Sequence, residues 1–244
     1  MILGVLKVAS QKSYDSASNE GIFLDFPFMK HTCAGVNSNE VWLCSSESSM
    51  RSKSCVSINI NQQSTTPRVS LLTPHIQGNM VSVNDDYGDT LIIIGGRTPG
   101  NEPTDQVEFC DQDCVSGNGN WQTLPPLPEK LYSGQVAVNT KSNRIYHLGG
   151  QGANYESKNV FALDFGPIRT LDLVPWVRVG KLDTARSQGQ VVFDVRSGWF
   201  WLVGGTASGL IEKWSEEIES DVFISSPEFT RRQFSLILME NKQL

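Results

Sequence analysis

Short apolar runs recur along this chain, and each ends at a turn residue. Three of them run directly into a pair of glycines: LIIIGG ends at Gly96, IYHLGG at Gly150 and FWLVGG at Gly205. Apolar and polar positions alternate in the segments between these runs, and no segment keeps a period of 3.6 residues. The longest wholly apolar run, Trp199 to Val203, is far shorter than the ~20 residues of a membrane-spanning helix. The pattern therefore predicts an all-β protein.

The glycine pairs mark an internal repeat. Their first residues are Gly95, Gly149 and Gly204, which are 54 and 55 residues apart. The same kind of strand, EVWLCSS, ends fifty residues before Gly95 with Ser45 and Ser46 in place of the glycines. The segments WQTLPPLPEKLYSGQV and WVRVGKLDTARSQGQV align without a gap at an offset of 55. These matches predict four copies of a four-stranded unit.

A four-stranded unit of this length, with a double glycine after the second strand and a tryptophan further on, resembles the kelch repeat. The resemblance implies an all-β, kelch-type β-propeller that forms a single domain over residues 1–244. Its four blades span about 30–75, 76–128, 129–183 and 184–229, and residues 1–29 and 230–244 supply parts of a further blade. The chain is then a five-bladed ring or a piece of a larger propeller. We favour the ring, because closure removes exposed sheet edges.

Composition narrows the classes of partner. The net charge of −6 and the isoelectric point near 5.1 argue against a nucleic-acid binder, which would show a basic surface. No apolar stretch is long enough to cross a membrane, and the N-terminus is a poor signal peptide. We therefore predict a cytoplasmic protein that binds neither nucleic acid nor membrane, and its oligomeric state stays open.

The five cysteines do not form the even set of a disulfide framework. A hairpin that turns at residues 38 and 39 places Cys33 opposite Cys44, and the next hairpin places Cys44 opposite Cys55. We favour buried thiols for this row, with a disulfide as the alternative. Cys110 and Cys114 are either incidental or a local disulfide rather than a metal site, because no second pair or histidine cluster is close in sequence.

Catalytic motifs are weak. His147 is inside a strand, where we expect it to pack, and His31 and His75 precede first strands. The copper oxidases that share the kelch-type propeller need two tyrosines, two histidines and a cysteine cross-linked to a tyrosine, and no such set emerges at matching positions. The sequence also contains no Ser/His/Asp set and no phosphate-binding loop. We therefore predict a protein that is not an enzyme and that needs no cofactor or metal.

Basic residues cluster at equivalent positions of the repeat. They lie between a fourth strand and the next first strand, apart from Arg97, which follows a glycine pair; the others are Lys30, Arg68, Lys130, Arg186, Arg231 and Arg232. In a propeller all these positions face one rim, and arginine suits carboxylate ligands. Tyr155 adds an aromatic side chain in a neighbouring loop.

We therefore predict a module that binds a partner protein or an acidic peptide through one rim, as a substrate-recognition or scaffold unit. The predicted contact residues are Arg97, Lys130, Tyr155, Arg186, Arg231 and Arg232. Any one of these arginines has an alternative role in bracing neighbouring blades. Two other functions stay open: a carbohydrate-active oxidase or isomerase with a site at the channel mouth, and a fragment or degenerate relative of a longer kelch protein.

Overall fold

The structure, a computed structural model, describes residues 33–36, 40–45, 51–59, 61–62, 64–85, 88–166, 174–205, 210–217 and 221–225. These residues form four antiparallel sheets, and each sheet contains four strands that follow one another in the chain. The all-β prediction is confirmed, as is the prediction that the second strand of a unit ends at the glycine pair. None of the helices in the described ranges could cross a membrane.

The strands have the following bounds. Sheet 1 contains β1 (Cys33–Val36), β2 (Glu40–Cys44), β3 (Cys55–Asn59) and β4 (Ser64–Arg68). Sheet 2 contains β5 (Asn79–Asp85), β6 (Gly88–Ile94), β7 (Val107–Cys110) and β8 (Gln122–Leu124). Sheet 3 contains β9 (Gln135–Asn139), β10 (Arg144–Leu148), β11 (Asn159–Asp164) and β12 (Val177–Lys181). Sheet 4 contains β13 (Gln190–Asp194), β14 (Trp199–Val203), β15 (Leu210–Trp214) and β16 (Asp221–Ser225).

The sheets pack face to face in chain order. Strand β6 is buried on both faces, and successive residues of a strand point to opposite faces. Leu91 and Ile93 therefore join the core that β6 shares with sheet 1, whereas Ile92 and Ile94 join the core shared with sheet 3. A third core, which includes Tyr146 of β10 and Phe200 of β14, lies between sheets 3 and 4. We call each of these three regions a joint.

The glycine pairs have a conformational reason. Gly95, Gly149 and Gly204 have φ of 60°, 63° and 71°, a left-handed conformation that glycine adopts without steric cost. A Cβ atom at Gly95 would also lie 2.4 Å from the carbonyl oxygen of Leu131. Ser45, which the repeat aligns with the first glycine of each pair, has the same conformation, with φ of 62°.

The cysteine row has the predicted register. Cys33 is opposite Cys44, and Cys44 is opposite Cys55. The preference for thiols is wrong for the second pair, because Cys44 and Cys55 form a disulfide across β2 and β3. Cys110 and Cys114 form a second disulfide, in agreement with one of the two alternatives above.

A short helix was not predicted. It spans Gln112–Ser116, labelled α1, between β7 and β8. The carboxylate of Asp111 caps it by accepting the amide of Cys114 at 3.0 Å, and Gly117 ends it with a φ of 93°. Asp and Gly at these two positions are ordinary helix boundary signals, although a helix this short shows no periodicity.

Several predicted features fall outside the described residues. These are the turn at residues 38 and 39, the partial blade from 1–29 and 230–244, and the side chains of Lys30, His31, Arg231 and Arg232.

Candidate functional site

The connections that enter sheets 2, 3 and 4 follow one backbone course. Each begins at a buried leucine whose amide donates to the preceding sheet or its edge: Leu71 to Lys53, Leu127 to Asp105 and Leu182 to Lys158, at 2.7–2.9 Å. Six residues later the backbone is left-handed, at Gln77, Ser133 and Gln188. The amide of Ser133 donates to Gln77 O, and that of Gln188 to Ser133 O, each at 2.7 Å. Successive connections are thus hydrogen-bonded in series, which gives each joint the same frame.

Each frame holds one side chain deep in its joint, four residues after the leucine. This residue is His75, Leu131 or Arg186, and each of the three is fully buried. We call them the joint residues. The repeat therefore fixes the position and burial of the joint residue, but the residue type differs from one joint to the next.

His75 fills the joint between sheets 1 and 2. Its Nδ1 lies 2.5 Å from Gly95 O, and its Nε2 lies 3.2 Å from Glu108 Oε1. Glu108 also accepts the amides of Leu72 and Thr73 and the hydroxyl of Thr73. Burial raises the pKa of Glu108, but the bonds from His75, Thr73 and Leu72 outweigh it, and the pKa falls below its usual value.

Arg186 fills the joint between sheets 3 and 4 in the same way. One guanidinium nitrogen donates to Gly204 O at 3.0 Å, and the other donates to Glu212 Oε2 at 2.6 Å. The second oxygen of Glu212 accepts the amide of Asp183. Burial lowers the pKa of Arg186, and Glu212 opposes that shift. Since both partners are fully buried, this ion pair braces the sheets and the guanidinium has no exposed surface.

Leu131 fills the middle joint with no partner charge. It belongs to the apolar core between sheets 2 and 3, with Phe161 of β11.

The same joint contains a buried histidine. His147 of β10 is opposite Phe161 in the neighbouring strand. It is fully buried beside Gly134, and neither ring nitrogen has a hydrogen-bond partner among the described residues. Burial lowers the pKa of His147 to about 4, so the ring is neutral at pH 7.

A partly exposed patch lies near the middle joint, in which Arg97 and Tyr132 are half-buried. The guanidinium of Arg97 lies over the ring of Tyr132, 5.5 Å from its centroid, and also donates to Asn101. Tyr132 forms a backbone bridge with Gln151, whose side chain donates to Tyr155 O at 2.8 Å. Backbone and side-chain contacts therefore connect Arg97 to Tyr155.

The second half of the patch is built on Glu129. Its carboxylate accepts the hydroxyls of Tyr155 at 3.3 Å and Ser157 at 3.1 Å, and it accepts the amide group of Asn159. Burial and Glu129 raise the pKa of Tyr155, so the phenol is protonated at pH 7. Tyr155 is 49% exposed, and Lys130, next to Glu129 in the chain, is also exposed. We call Arg97, Lys130, Tyr132 and Tyr155 the Tyr155 patch.

Of the six predicted contact residues, the structure connects Arg97 to Tyr155 through Tyr132 and Gln151, and it leaves Lys130 exposed next to Glu129 in the chain. Arg186 was predicted to contact a partner, but its burial against Glu212 gives it the bracing role that was the alternative. Arg231 and Arg232 are outside the described residues. Carboxylates also lie beside the patch, so the basic surface predicted from the sequence is in fact mixed in charge where it is described.

Sequence reasoning missed the three glutamates that organise these sites, Glu108, Glu129 and Glu212. Glu129 directly precedes Lys130, but only the basic residues of these connections were considered as candidates. Arg68, the remaining basic residue of the set, pairs with Glu40 at 2.6 Å and lies over Trp42.

A second polar feature lies where the first strands of sheets 2, 3 and 4 begin. Asn79, Gln135 and Gln190 occupy equivalent positions, each two residues after the left-handed residue of the connection. Gln135 is 2% exposed, and neither its amide nitrogen nor its amide oxygen has a partner among the described residues. Buried amides are normally hydrogen-bonded, so this side chain needs a partner that is polar.

No group of three or more His, Cys, Asp or Glu residues in the described ranges could hold a metal ion.

The comparisons with known proteins give a likeness of fold. No protein-family model matches the chain, and no curated protein matches it. Among solved structures, "Structure of YjhT" superposes with a TM-score of 0.65 at 12% identity, over 85% of this chain and 69% of that one. At this identity the likeness concerns the all-β fold alone.

Proposed function

We propose that the four sheets are successive blades of a kelch-type β-propeller that acts as a non-enzymatic protein-interaction module. Three observations support the propeller. Each sheet consists of four consecutive antiparallel strands, the sheets stack face to face in chain order, and the connections repeat the same hydrogen bonds. Radial repetition of such sheets is the propeller architecture.

The Tyr155 patch is the proposed binding surface, and the exposure of Tyr155 is the observation that carries this proposal. The hydroxyl of Tyr155 is held by Glu129 while the residue stays 49% exposed, so the side chain has little conformational entropy left to lose on binding. Tyrosine and arginine are the side chains that most often dominate the binding energy of protein interfaces. Arg97 is already positioned over Tyr132, so its guanidinium is pre-ordered.

The favoured ligand is an extended acidic segment of a partner protein. Lys130 and Arg97 supply two cations to the patch, and acidic side chains of the ligand would pair with them. Glu129, which accepts hydrogen bonds from three neutral side chains, carries one negative charge and so offsets at most one of these two positive charges. Charge complementarity of this kind adds specificity and association rate.

The test uses an array of peptides that present one aromatic or aliphatic residue beside acidic, neutral or basic residues. Binding of the full chain is compared with that of Tyr155→Ala and Lys130→Glu. The matched control is Arg178→Glu on β12, an exposed cation away from the patch. We expect each patch variant to lose about tenfold or more of its binding to acidic peptides, the loss of one interface anchor.

The control should bind like the wild type. Equal binding of the wild type, the patch variants and the control to acidic peptides would overturn the proposal, and so would a preference for basic peptides. Thermal unfolding of every variant shows that the fold is retained.

A carbohydrate-active enzyme is the second candidate, and Gln135 favours it. An unpartnered, buried amide near the inner edge of the sheets offers both a donor and an acceptor to a hydroxylated ligand. Saturation-transfer NMR with a panel of neutral monosaccharides tests this function. Contact signals that Gln135→Leu abolishes would support it, and a silent panel would count against it.

The predicted cytoplasmic location remains a prediction. The two disulfides weigh against it, because such bonds persist mainly in oxidising compartments. Fractionation of cells that produce the native protein would decide the question.

A further inference from the structure

The two disulfides of the described residues lie in one of the three joints. Cys44 and Cys55 belong to sheet 1, Cys110 ends β7 of sheet 2, and Cys114 is in α1. All four cysteines belong to the apolar core that sheets 1 and 2 share, and each is at most 5% exposed. The cores of the other two joints contain no cysteine among the described residues. A change of redox state therefore acts on this joint in particular.

One of the two disulfides fastens a segment that connects both sheets of this joint. We call residues 111–121, which comprise α1 and the turn that follows it, the α1 strap. Gln112 Oε1 accepts the amide of Asp89 in β6, a strand of the same sheet, at 2.8 Å. Val115 O accepts Arg68 Nη1 of β4, in sheet 1, at 3.3 Å. The strap therefore joins the two sheets in addition to the packing of their apolar faces.

The helix of the strap has few attachments besides the disulfide. It has five residues, and isolated helices shorter than about 12 residues are marginal in water. Its buried side chains are those of Cys114 and Val115. Without the bond from Cys114 to Cys110, the packing of Val115 and a few hydrogen bonds remain to hold the helix against the joint.

The other disulfide is placed where a reductant has less access. Cys44 and Cys55 lie in β2 and β3, the two central strands of sheet 1, and each of these strands is paired on both sides. Exposure of their sulfurs requires that paired strands separate, whereas exposure of Cys114 requires only that a five-residue helix opens. Short surface segments open at a lower free energy than the strands of a sheet. We therefore expect the bond between Cys110 and Cys114 to be reduced first.

We propose that the Cys110–Cys114 disulfide is a redox-sensitive latch, and that its reduction by a dithiol releases the α1 strap from the joint between sheets 1 and 2. One thiolate of the dithiol attacks a sulfur of the disulfide, and the other cysteine leaves as a thiolate. The second thiolate of the reductant then displaces the remaining cysteine from the mixed disulfide. The dithiol is oxidised to a cyclic disulfide, and two electrons and two protons pass to the protein, which holds two thiols.

The latch makes the joint respond to the compartment in which the protein is found. Disulfides persist in oxidising compartments, where the strap would keep its contact with Arg68. In a reducing compartment that contact would be lost, while the packing of the apolar faces would remain.

Timed reduction of the full chain with dithiothreitol under native conditions tests the order of reduction. Samples taken at increasing times are quenched with acid, alkylated in denaturant and mapped by mass spectrometry, so that every freed thiol is counted. We expect Cys110 and Cys114 to be reduced at least about tenfold faster than Cys44 and Cys55, because the short helix opens more readily than the sheet.

Hydrogen exchange then tests whether reduction releases the strap. The amides of Val115 and Asn118 are hydrogen-bonded within the strap, and after reduction of the latch they should exchange at least about tenfold faster. The amides of Ser133 and Gln188 lie in the other two joints and are the internal control. Their exchange should not change.

Two double variants assign the response to one disulfide. C110A/C114A lacks the latch, so its strap amides should exchange fast with or without dithiothreitol. The matched control, C44A/C55A, lacks the other disulfide and should keep the response of the strap to dithiothreitol. The wild-type measurements decide the question even if a variant does not fold.

Two results would overturn the proposal. One is reduction of Cys44 and Cys55 before, or as fast as, that of Cys110 and Cys114. The other is an unchanged exchange rate of the strap amides once the latch is reduced. The Tyr155 patch does not enter these measurements, so their outcome is independent of the proposed function.

Discussion

The joint between sheets 1 and 2 and the joint between sheets 3 and 4 solve one packing problem with different chemistry. In both, a cationic or ionisable joint residue contacts the first glycine of the pair and a glutamate of the third strand: His75 with Glu108, and Arg186 with Glu212. The middle joint carries Leu131 and Phe161 at the same positions. A buried polar pair is therefore optional for holding two sheets together. Where a charged or ionisable side chain fills the position, a glutamate of the third strand lies within hydrogen-bond distance of it.

The comparison predicts its largest effect at Arg186. Arg186→Ala leaves the Glu212 carboxylate buried without its partner, which costs about 3–5 kcal/mol of unfolding free energy. The double variant Arg186→Leu/Glu212→Phe copies the middle joint, and we expect it to recover most of that loss. Urea unfolding measures both. If the double variant is as unstable as Arg186→Ala, the joints are not interchangeable and the comparison fails.

His147 is the ionisable group of the apolar joint, and it should make stability depend on pH. Its pKa is about 4 in the folded protein against 6.5 for the free side chain, so between these values the unfolded chain binds a proton that the folded chain does not. Stability should fall by about 3 kcal/mol as the pH drops from 6.5 to 4, the equivalent of that shift.

His147→Leu copies Leu202, the residue at the same position of sheet 4. It should remove this pH dependence and leave stability at pH 7 unchanged or higher, since no hydrogen bond is lost. Thermal unfolding from pH 4 to 7 measures it. If the stability of His147→Leu varied with pH as that of the wild type does, another ionisable group would be the cause of the pH dependence.

Glu108 should make a smaller contribution with its own pH range. Glu108→Gln converts one acceptor oxygen into a donor that faces backbone amides, at a cost of about 1–3 kcal/mol at pH 7. Because its pKa is lowered on folding, the wild-type contribution is present above pH 4.5 and is lost as the pH falls through the lowered value. The difference between wild type and variant should therefore shrink on acidification. Glu102→Gln, an exposed carboxylate, is the control and should change little.

Ser45 gives the smallest and most local test. Its hydroxyl donates to Ser52 O and accepts the amide of His75, while its backbone has the left-handed conformation of the glycines. Ser45→Ala keeps the unfavourable conformation and loses both bonds, so we expect a loss of about 1–2 kcal/mol. Ser45→Gly loses the same bonds but relieves the backbone, so it should cost about 1 kcal/mol less than the alanine variant. Equal losses would mean that the left-handed residue is not strained.

The sheets were predictable because their signal is local, whereas the joint pairs were not. Alternation and glycine pairs are read within a few residues, and the ungapped offset fixed the equivalence of the connections. Glu108, however, comes 13 residues after Gly95, and Glu212 comes 8 after Gly204. Since the loops between second and third strands differ in length, no constant spacing identifies the glutamates. His75, Leu131 and Arg186 also belong to three chemical classes, which hid their equivalence.

The candidate site was only partly predictable, because local sequence signals give the position of a residue in the repeat but not its contacts. Positions of Arg97, Lys130 and Tyr155 followed from the repeat, but exposure depends on contacts that no single segment contains. Arg186 occupies an equally basic position of the repeat and is buried, because its partner is on another strand. The cysteine register followed from hairpin geometry, whereas the bond between Cys44 and Cys55 depends on oxidation, which a register does not specify.

The serial hydrogen bonds between connections also bear on how the molecule opens. The amide protons of Ser133 and Gln188 are each held by a carbonyl from the preceding connection, so they exchange with solvent only when two sheets part. In deuterated buffer the amide of Ser133 would report the opening of the middle joint, and the amide of Gln188 would report the opening of the joint between sheets 3 and 4. Their order of exchange would show directly whether the apolar joint or the ion-paired joint separates first.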